Sequence, residues 1–283
     1  MSVCSYSADL KIDHVTIAGT DLAKMRALLT GAGIPTVYGG PHANHATEMA
    51  LSTFADGSYL ELIAAQPKAD PDALAKHEWS AQIRGNAGPG AWAARVDDID
   101  RERKRLQSVG VQVSSPEHSG RARPDGFRLE WETAQIGAET RGTFFPFLIR
   151  DKTPREERTG KASASGIRGV ERVVIAVRDI KAAATRFREA YGWAAPTEFD
   201  DRVFGAHVAV FAGTPVVLVT PYNAQSWVEA RLKRFGEGPC ALVFGSVKTF
   251  QSSAKSQWAG RSISWLDIAP VDATAIPWHL GIE

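Results

Sequence analysis

Two stretches decide the reading of this chain: Ile12-Asp13-His14-Val15-Thr16-Ile17-Ala18, and later Asp56-Gly57-Ser58-Tyr59-Leu60-Glu61-Leu62-Ile63. Each is strand-like, and each carries one ionisable residue, His14 or Glu61, among apolar neighbours. An unpaired imidazole or carboxylate is costly to bury, so two of them a module apart imply a shared partner, and a divalent metal ion is the simplest. On a strand, Val15 and Ile17 share one face while His14, Thr16 and Ala18 share the other. With Asp56-Gly57 as a two-residue hairpin turn, Ser52 falls opposite Glu61. Glu48, Ala50 and Ser52 then share a face with Tyr59, Glu61 and Ile63, and His14, Glu61 and Glu48 are expected on one concave surface.

The pattern around the first strand repeats. Thr20-Asp21 caps a helix carried by Leu22, Met25, Leu28 and Leu29 and stopped by Gly31 and Gly33. The same order returns from Ala91 to Val96 with Asp98, and from Arg172 to Val177 with Asp179. A fainter copy starts at Ala241-Leu242-Val243-Phe244 and predicts a weak helix from Phe250 to Trp258. Short strands follow each helix, so the unit reads strand, helix, three strands, four times over. Charged and then Ser, Ala and Gly residues over 151–168 read as an exposed linker. The expected domains are 1–150 (modules about 11–66 and 88–150) and 169–283 (modules about 169–221 and 239–283). One module leaves an open sheet, so two pair to close a cleft.

With 283 residues, 44% apolar and 23% charged, the chain has the composition of a globular protein with two domains. A formal charge of +1 gives no electrostatic case for nucleic acid or membrane, which leaves a small-molecule substrate as the partner. Cys4 and Cys240 are too few for a disulfide framework, and Met1-Ser2-Val3-Cys4-Ser5 has no leader-like basic and apolar regions. A cytoplasmic setting is the expectation, as monomer or homodimer. No apolar run is long enough to span a bilayer.

The α+β pattern of four βαβββ units, with a His on a first strand and a Glu on a last strand, resembles the vicinal oxygen chelate superfamily and within it the glyoxalase-like domain group. The segments that carry the resemblance are Asp13-His14-Val15, Gly39-Gly40-Pro41-His42, Thr47, Asp56 to Glu61, and Arg123-Pro124-Asp125-Gly126-Phe127-Arg128-Leu129-Glu130-Trp131. The resemblance implies two paired-module domains with concave mixed sheets and one divalent ion (Mn, Fe, Zn, Ni or Mg). Its substrate would chelate that ion through neighbouring oxygens. Ala46-Thr47-Glu48-Met49 stands where the group usually has Gly-Thr-His-Asn, so Glu48 takes the place of a second His as third ligand or base, with His42 or His45 as substitutes. The equivalents of His14 are Ala91 and Arg172, and that of Glu61 in the third unit is Val217, so any metal is expected once, in the first half.

The functional expectation is lyase or isomerase chemistry, with His14 and Glu61 as ligands and Glu48 as ligand or proton carrier. Arg121, Arg123 and Arg128 are candidates to grip an anionic substrate, and Tyr59 and Trp131 to line the pocket. Trp92, Phe144, Phe145 and Phe147 belong mostly to the core, with one or two left for the pocket. Arg101 to Arg105 is a solvated helix face and His207 is structural. Two alternatives stay open: a ring-cleaving dioxygenase if His42 or His45 completes a two-histidine, one-carboxylate set, and a metal-free binding protein like the bleomycin-binding members.

Overall fold

The computed structural model describes residues 10–42, 44–123, 125–272 and 275–283; Cys4 and the first five residues lie outside them. The first module is β1 (Lys11–Ala18), α1 (Leu22–Gly31), β2 (Val37–Pro41), β3 (Thr47–Thr53) and β4 (Tyr59–Ala65), followed by the short helices α2 (Pro71–Lys76) and α3 (Ser80–Arg84). The second is β5 (Gly88–Arg95), α4 (Ile99–Ser108), β6 (Glu117–Ala122), β7 (Arg128–Ala134) and β8 (Phe147–Asp151), and α5 (Arg155–Thr159) leads out of it. The third is β9 (Ile167–Ala176), α6 (Ile180–Tyr191), β10 (Thr197–Asp201), β11 (Ala206–Val210) and β12 (Val216–Pro221), followed by α7 (Trp227–Phe235). The fourth is β13 (Gly238–Ser246), β14 (Ser252–Trp258), β15 (Arg261–Leu266) and β16 (His279–Ile282).

The modules pair into two curled eight-stranded sheets, ordered β2-β3-β4-β1-β5-β8-β7-β6 and β10-β11-β12-β9-β13-β16-β15-β14. In each, the two first strands run antiparallel at the centre, and each lies parallel to the last strand of its own module. Asp21, Asp98 and Asp179 cap α1, α4 and α6 through their carboxylates, as the sequence predicts. A cap of this kind contributes about 1 kcal/mol. The three helices lie between the sheets and share one apolar cluster with them, in which Val15 and Ile17 of β1 join Val173 and Ile175 of β9 and the fully buried Phe187.

Three sequence expectations change. The stretch read as a weak helix ending at Trp258 is strand β14 from Ser252 onward. Its last residues alternate in burial, with Ser256 and Trp258 inside and Lys255 and Gln257 outside, which is the period of a strand. The β3–β4 connection is longer than a two-residue turn: Thr53 pairs with Tyr59, and Leu51, not Ser52, stands opposite Glu61. Asp56 accepts from the backbone N–H and the hydroxyl of Ser58, both at 2.7 Å, and this local bond widens the loop. A slip of one residue moves every β3 side chain to the other face. Finally, the segment read as an exposed linker contains α5 and buries Arg158, Thr159 and Ser165.

The open face of the second sheet is filled. Val174, Val208, Val217, Val219 and Val243 point into a cluster closed by Val228 and Leu232 of α7 and by Trp258 and Trp265. Val217 pairs with Val174 where Glu61 pairs with Thr16 in the first sheet, so this face offers no ligand at that position. At its rim the His279 ring stacks on Trp227 at 3.8 Å. Burial lowers its pKa to about 4, with the Pro277 carbonyl acting the other way. The unfolded chain, with an imidazole pKa of about 6.5, therefore takes up the proton first, and stability falls as pH drops from about 6.5 toward 4. Urea unfolding at pH 7 and pH 5 should show a smaller acid loss for His279→Phe than for the parent; equal losses would mean His279 is not held neutral.

Candidate active site

The site begins with an irregularity in β1. Ile12 pairs with Ala94 and His14 with Ala93, leaving Asp13 as the extra residue of a bulge. A bulge re-aims side chains, and here it sends Ile12 into the core while Asp13 bonds its neighbour, Oδ1 standing 2.7 Å from His14 Nδ1. Both residues are buried, Asp13 completely. Burial works to raise the Asp13 pKa, but Arg158, the His14 bond and Arg155 outweigh it and hold the carboxyl far below its ordinary range. An ionised carboxylate only accepts, so Nδ1 carries a proton and Nε2 is turned to the open face. Stacking on Tyr59 (4.7 Å, 18°) and an edge contact with Phe147 (5.4 Å) fix the ring.

Glu61 stands opposite that nitrogen. His14 Nε2 lies 3.7 Å from Glu61 Oε2, and His42 Nε2 lies 3.6 Å from Oε1. His42 is oriented much as His14 is: its Nδ1 is 2.7 Å from the Thr47 hydroxyl, and its own backbone N–H donates to the Thr47 carbonyl. Burial pushes the Glu61 carboxyl up, but the bond to His42 and the fields of His14 and Arg158 prevail and lower its pKa to about 2. Thr16 also donates to it, at 3.4 Å.

The donor chemistry fits a divalent ion. Two imidazole nitrogens face a carboxylate, and the Asp13–His14 pair supplies the outer-shell carboxylate that orients a metal-bound histidine. Atoms bound to one ion at about 2.1 Å stand roughly 3.0–3.6 Å apart, so the His42–Glu61 pair sits at the outer edge of that span and the His14–Glu61 pair just beyond it. As placed, Glu61 bridges the two rings, one oxygen to each, and no three His, Cys, Asp or Glu side chains among the described residues close into a ligand cluster.

His14, His42, Glu61, Tyr59 and Trp131 line one cavity of about 330 Å³, together with Phe147. Trp92, Phe144 and Phe145 are core. The register of β3 takes Glu48 off this face: it pairs with Ala64, and its carboxylate accepts from the Tyr38 hydroxyl at 2.9 Å. His45 is exposed, at φ +56, outside the cavity. Arg123 pairs with Asp125 and with Glu157, and the exposed Arg128 pairs with Glu130; neither lines the cavity.

The cavity also draws on residues that motif reading passed over. His77, Glu78 and Trp79, in the turn between α2 and α3, lie over it, and Arg141 pairs with Glu78 at 3.3 Å. Arg158 forms part of its wall, donating to the Tyr59 hydroxyl, to Asp13 at 3.2 Å and to Asp151. Arg155 holds Asp13 and Asp151 from the same helix. The one sequence signal was Asp13 itself, a carboxylate in an apolar strand that must find cations somewhere. The edge strands of the curled sheet meet where Arg121 of β6 donates to the Gly39 carbonyl of β2 at 3.1 Å.

Residues 12–191 match the family model of the glyoxalase-like domain. No curated protein sequence matches the chain. Among solved structures, a hypothetical protein from Staphylococcus aureus superposes with a TM-score of 0.65 at 14% identity, over 97% of this chain and 100% of that one. A mutant 4-hydroxymandelate synthase from Streptomyces coelicolor gives 0.61 at 13%, over 97% and 92%. Methylmalonyl-CoA epimerase from Mycobacterium tuberculosis gives 0.35 at 18%, over 44% and 93%. The first two likenesses are of fold. The family match spans well over half of the sequence, both modules of the first sheet included, and by it this chain belongs to the glyoxalase-like domain family of the vicinal oxygen chelate superfamily.

Proposed function

We propose that this chain is a metal-dependent enzyme acting on a small substrate with neighbouring oxygens, in the lyase or isomerase manner. The observation that carries the reading is the confrontation of His14 Nε2 and His42 Nε2 with the two oxygens of Glu61. These three residues would hold one divalent ion, with His42 in the place first expected for Glu48. When bound, such an ion polarises a carbonyl or enediolate oxygen pair.

The chain's own residues supply the rest. Asp13 keeps the proton on His14 Nδ1, and Trp79, Trp131 and Phe147 wall the cavity with flat apolar surface that limits water. With Glu48 on the opposite face, Glu78 is the carboxylate placed to move a substrate proton: it lines the cavity, and burial raises its pKa against the pull of Arg141. A second reading, oxygen-dependent ring cleavage, draws support from the two-imidazole, one-carboxylate donor set, which suits Fe²⁺.

Elemental analysis after reconstitution with Mn²⁺, Fe²⁺, Zn²⁺, Ni²⁺ or Mg²⁺ in turn should find about one ion per chain. His14→Ala and Glu61→Gln should lose it and Glu48→Gln should retain it; no uptake of any of the five ions by the parent protein would end the metal reading. Preference for Fe²⁺ with oxygen consumption would favour the second reading over the first. Asp13→Asn, checked for folding by circular dichroism, should bind the ion about 10–100-fold more weakly; unchanged affinity would remove Asp13 from the site. Glu78→Gln should hold the ion normally and lose about 10²–10⁴-fold in turnover, and full activity in that variant would assign the proton to another group.

A further inference from the structure

Beside the inner cavity lies a second one of about 590 Å³. The two share Leu51, Arg121 and Arg158 in their walls, so they meet along the open face of the first sheet. The outer cavity is walled on one side by Pro35, Val37 and Tyr38 and roofed by residues 157–164 of the connecting segment. That roof is tied down where the Thr53 hydroxyl donates to the Thr159 carbonyl at 2.5 Å.

The arginines around these cavities differ in one respect. Arg123, Arg141 and Arg158 each meet carboxylates. Arg121 forms no ion pair of that kind among the described residues, and donates instead to the Gly39 carbonyl. Burial lowers its pKa, and the field of Glu61, which acts the other way, does not offset it. Its side chain lines both cavities where they meet, and the ligand a guanidinium suits there is a planar oxyanion. The ionised Glu61 nearby leaves room for a single negative charge, which favours a carboxylate over a dianionic phosphate.

We propose that the two cavities form one bipartite substrate site for an amphipathic carboxylic acid. Arg121 receives the carboxylate at the junction, the polar inner cavity takes the reacting end, and the outer cavity takes an apolar chain or ring. The inner assignment rests on the metal-enzyme reading; the carboxylate and chain subsites do not.

Calorimetric titration of the full-length, chelator-treated protein with acetate, hexanoate, decanoate and decanamide tests this. The expected result is one saturable site whose affinity rises about fourfold for each methylene buried. Arg121→Gln should weaken decanoate about tenfold or more and leave decanamide unchanged. Ala162→Trp, which fills the outer cavity from its roof, should flatten the chain-length series and spare acetate. Affinity that ignores chain length, or an Arg121→Gln protein that binds decanoate like the parent, overturns the proposal. His14→Ala should take up no ion on reconstitution and, chelator-treated, should still bind decanoate. A parent protein that takes up no ion but shows both dependences leaves the bipartite site standing and removes the metal reading alone.

Discussion

A charge buried at the centre of the first sheet sets the terms for everything around it. Asp13 has no exposure at all, and a carboxylate in that position costs several kcal/mol unless cations and donors surround it. It is met by His14 from its own strand and by Arg155 and Arg158 from the segment after β8. The cluster is not a simple source of stability, since an apolar replacement of a buried ion network is often neutral or better. Its value lies in geometry: one ionised carboxylate fixes the His14 tautomer and docks α5, while Arg158 also holds the Tyr59 hydroxyl beneath the His14 ring.

Much of this was legible in the sequence, and the misses have identifiable causes. The modules were visible because capping aspartates and terminating glycines punctuate them, and His14 and Glu61 stood out as polar residues in apolar strands. Glu48 went to the wrong face because Asp56 bonds Ser58 and lengthens a turn by an amount that the Asp-Gly pair does not announce. Arg155 and Arg158 were hidden for another reason. A run of alternating charges has no apolar period, and nothing local tells that two of its members turn inward toward a partner more than a hundred residues away.

The second sheet shows what the same architecture becomes without the polar pair. Val174 and Val217 replace Thr16 and Glu61, Arg172 pairs with Glu283, and α7 lies against the open face as α2 and α3 cover only one end of the first. The valine-rich face closes on itself by burying area, and the rings of Phe204, Trp258 and Trp265 complete it, the two indoles donating to Asp201 and Ser256. Between the sheets, the helices of both halves share one core, so the filled half also supports the side of the first sheet that faces away from the cavity.

The position of Arg155 and Arg158 separates the unit of duplication from the unit of chemistry. Strand and helix patterns repeat with a boundary near residue 150, but the groups that neutralise Asp13 and roof the outer cavity come from beyond it. A fragment ending at that boundary would keep His14, His42 and Glu61 and lose the counter-charges that aim the first of them. Such a connector belongs to neither repeated module, yet the aim of a side chain in the first depends on it.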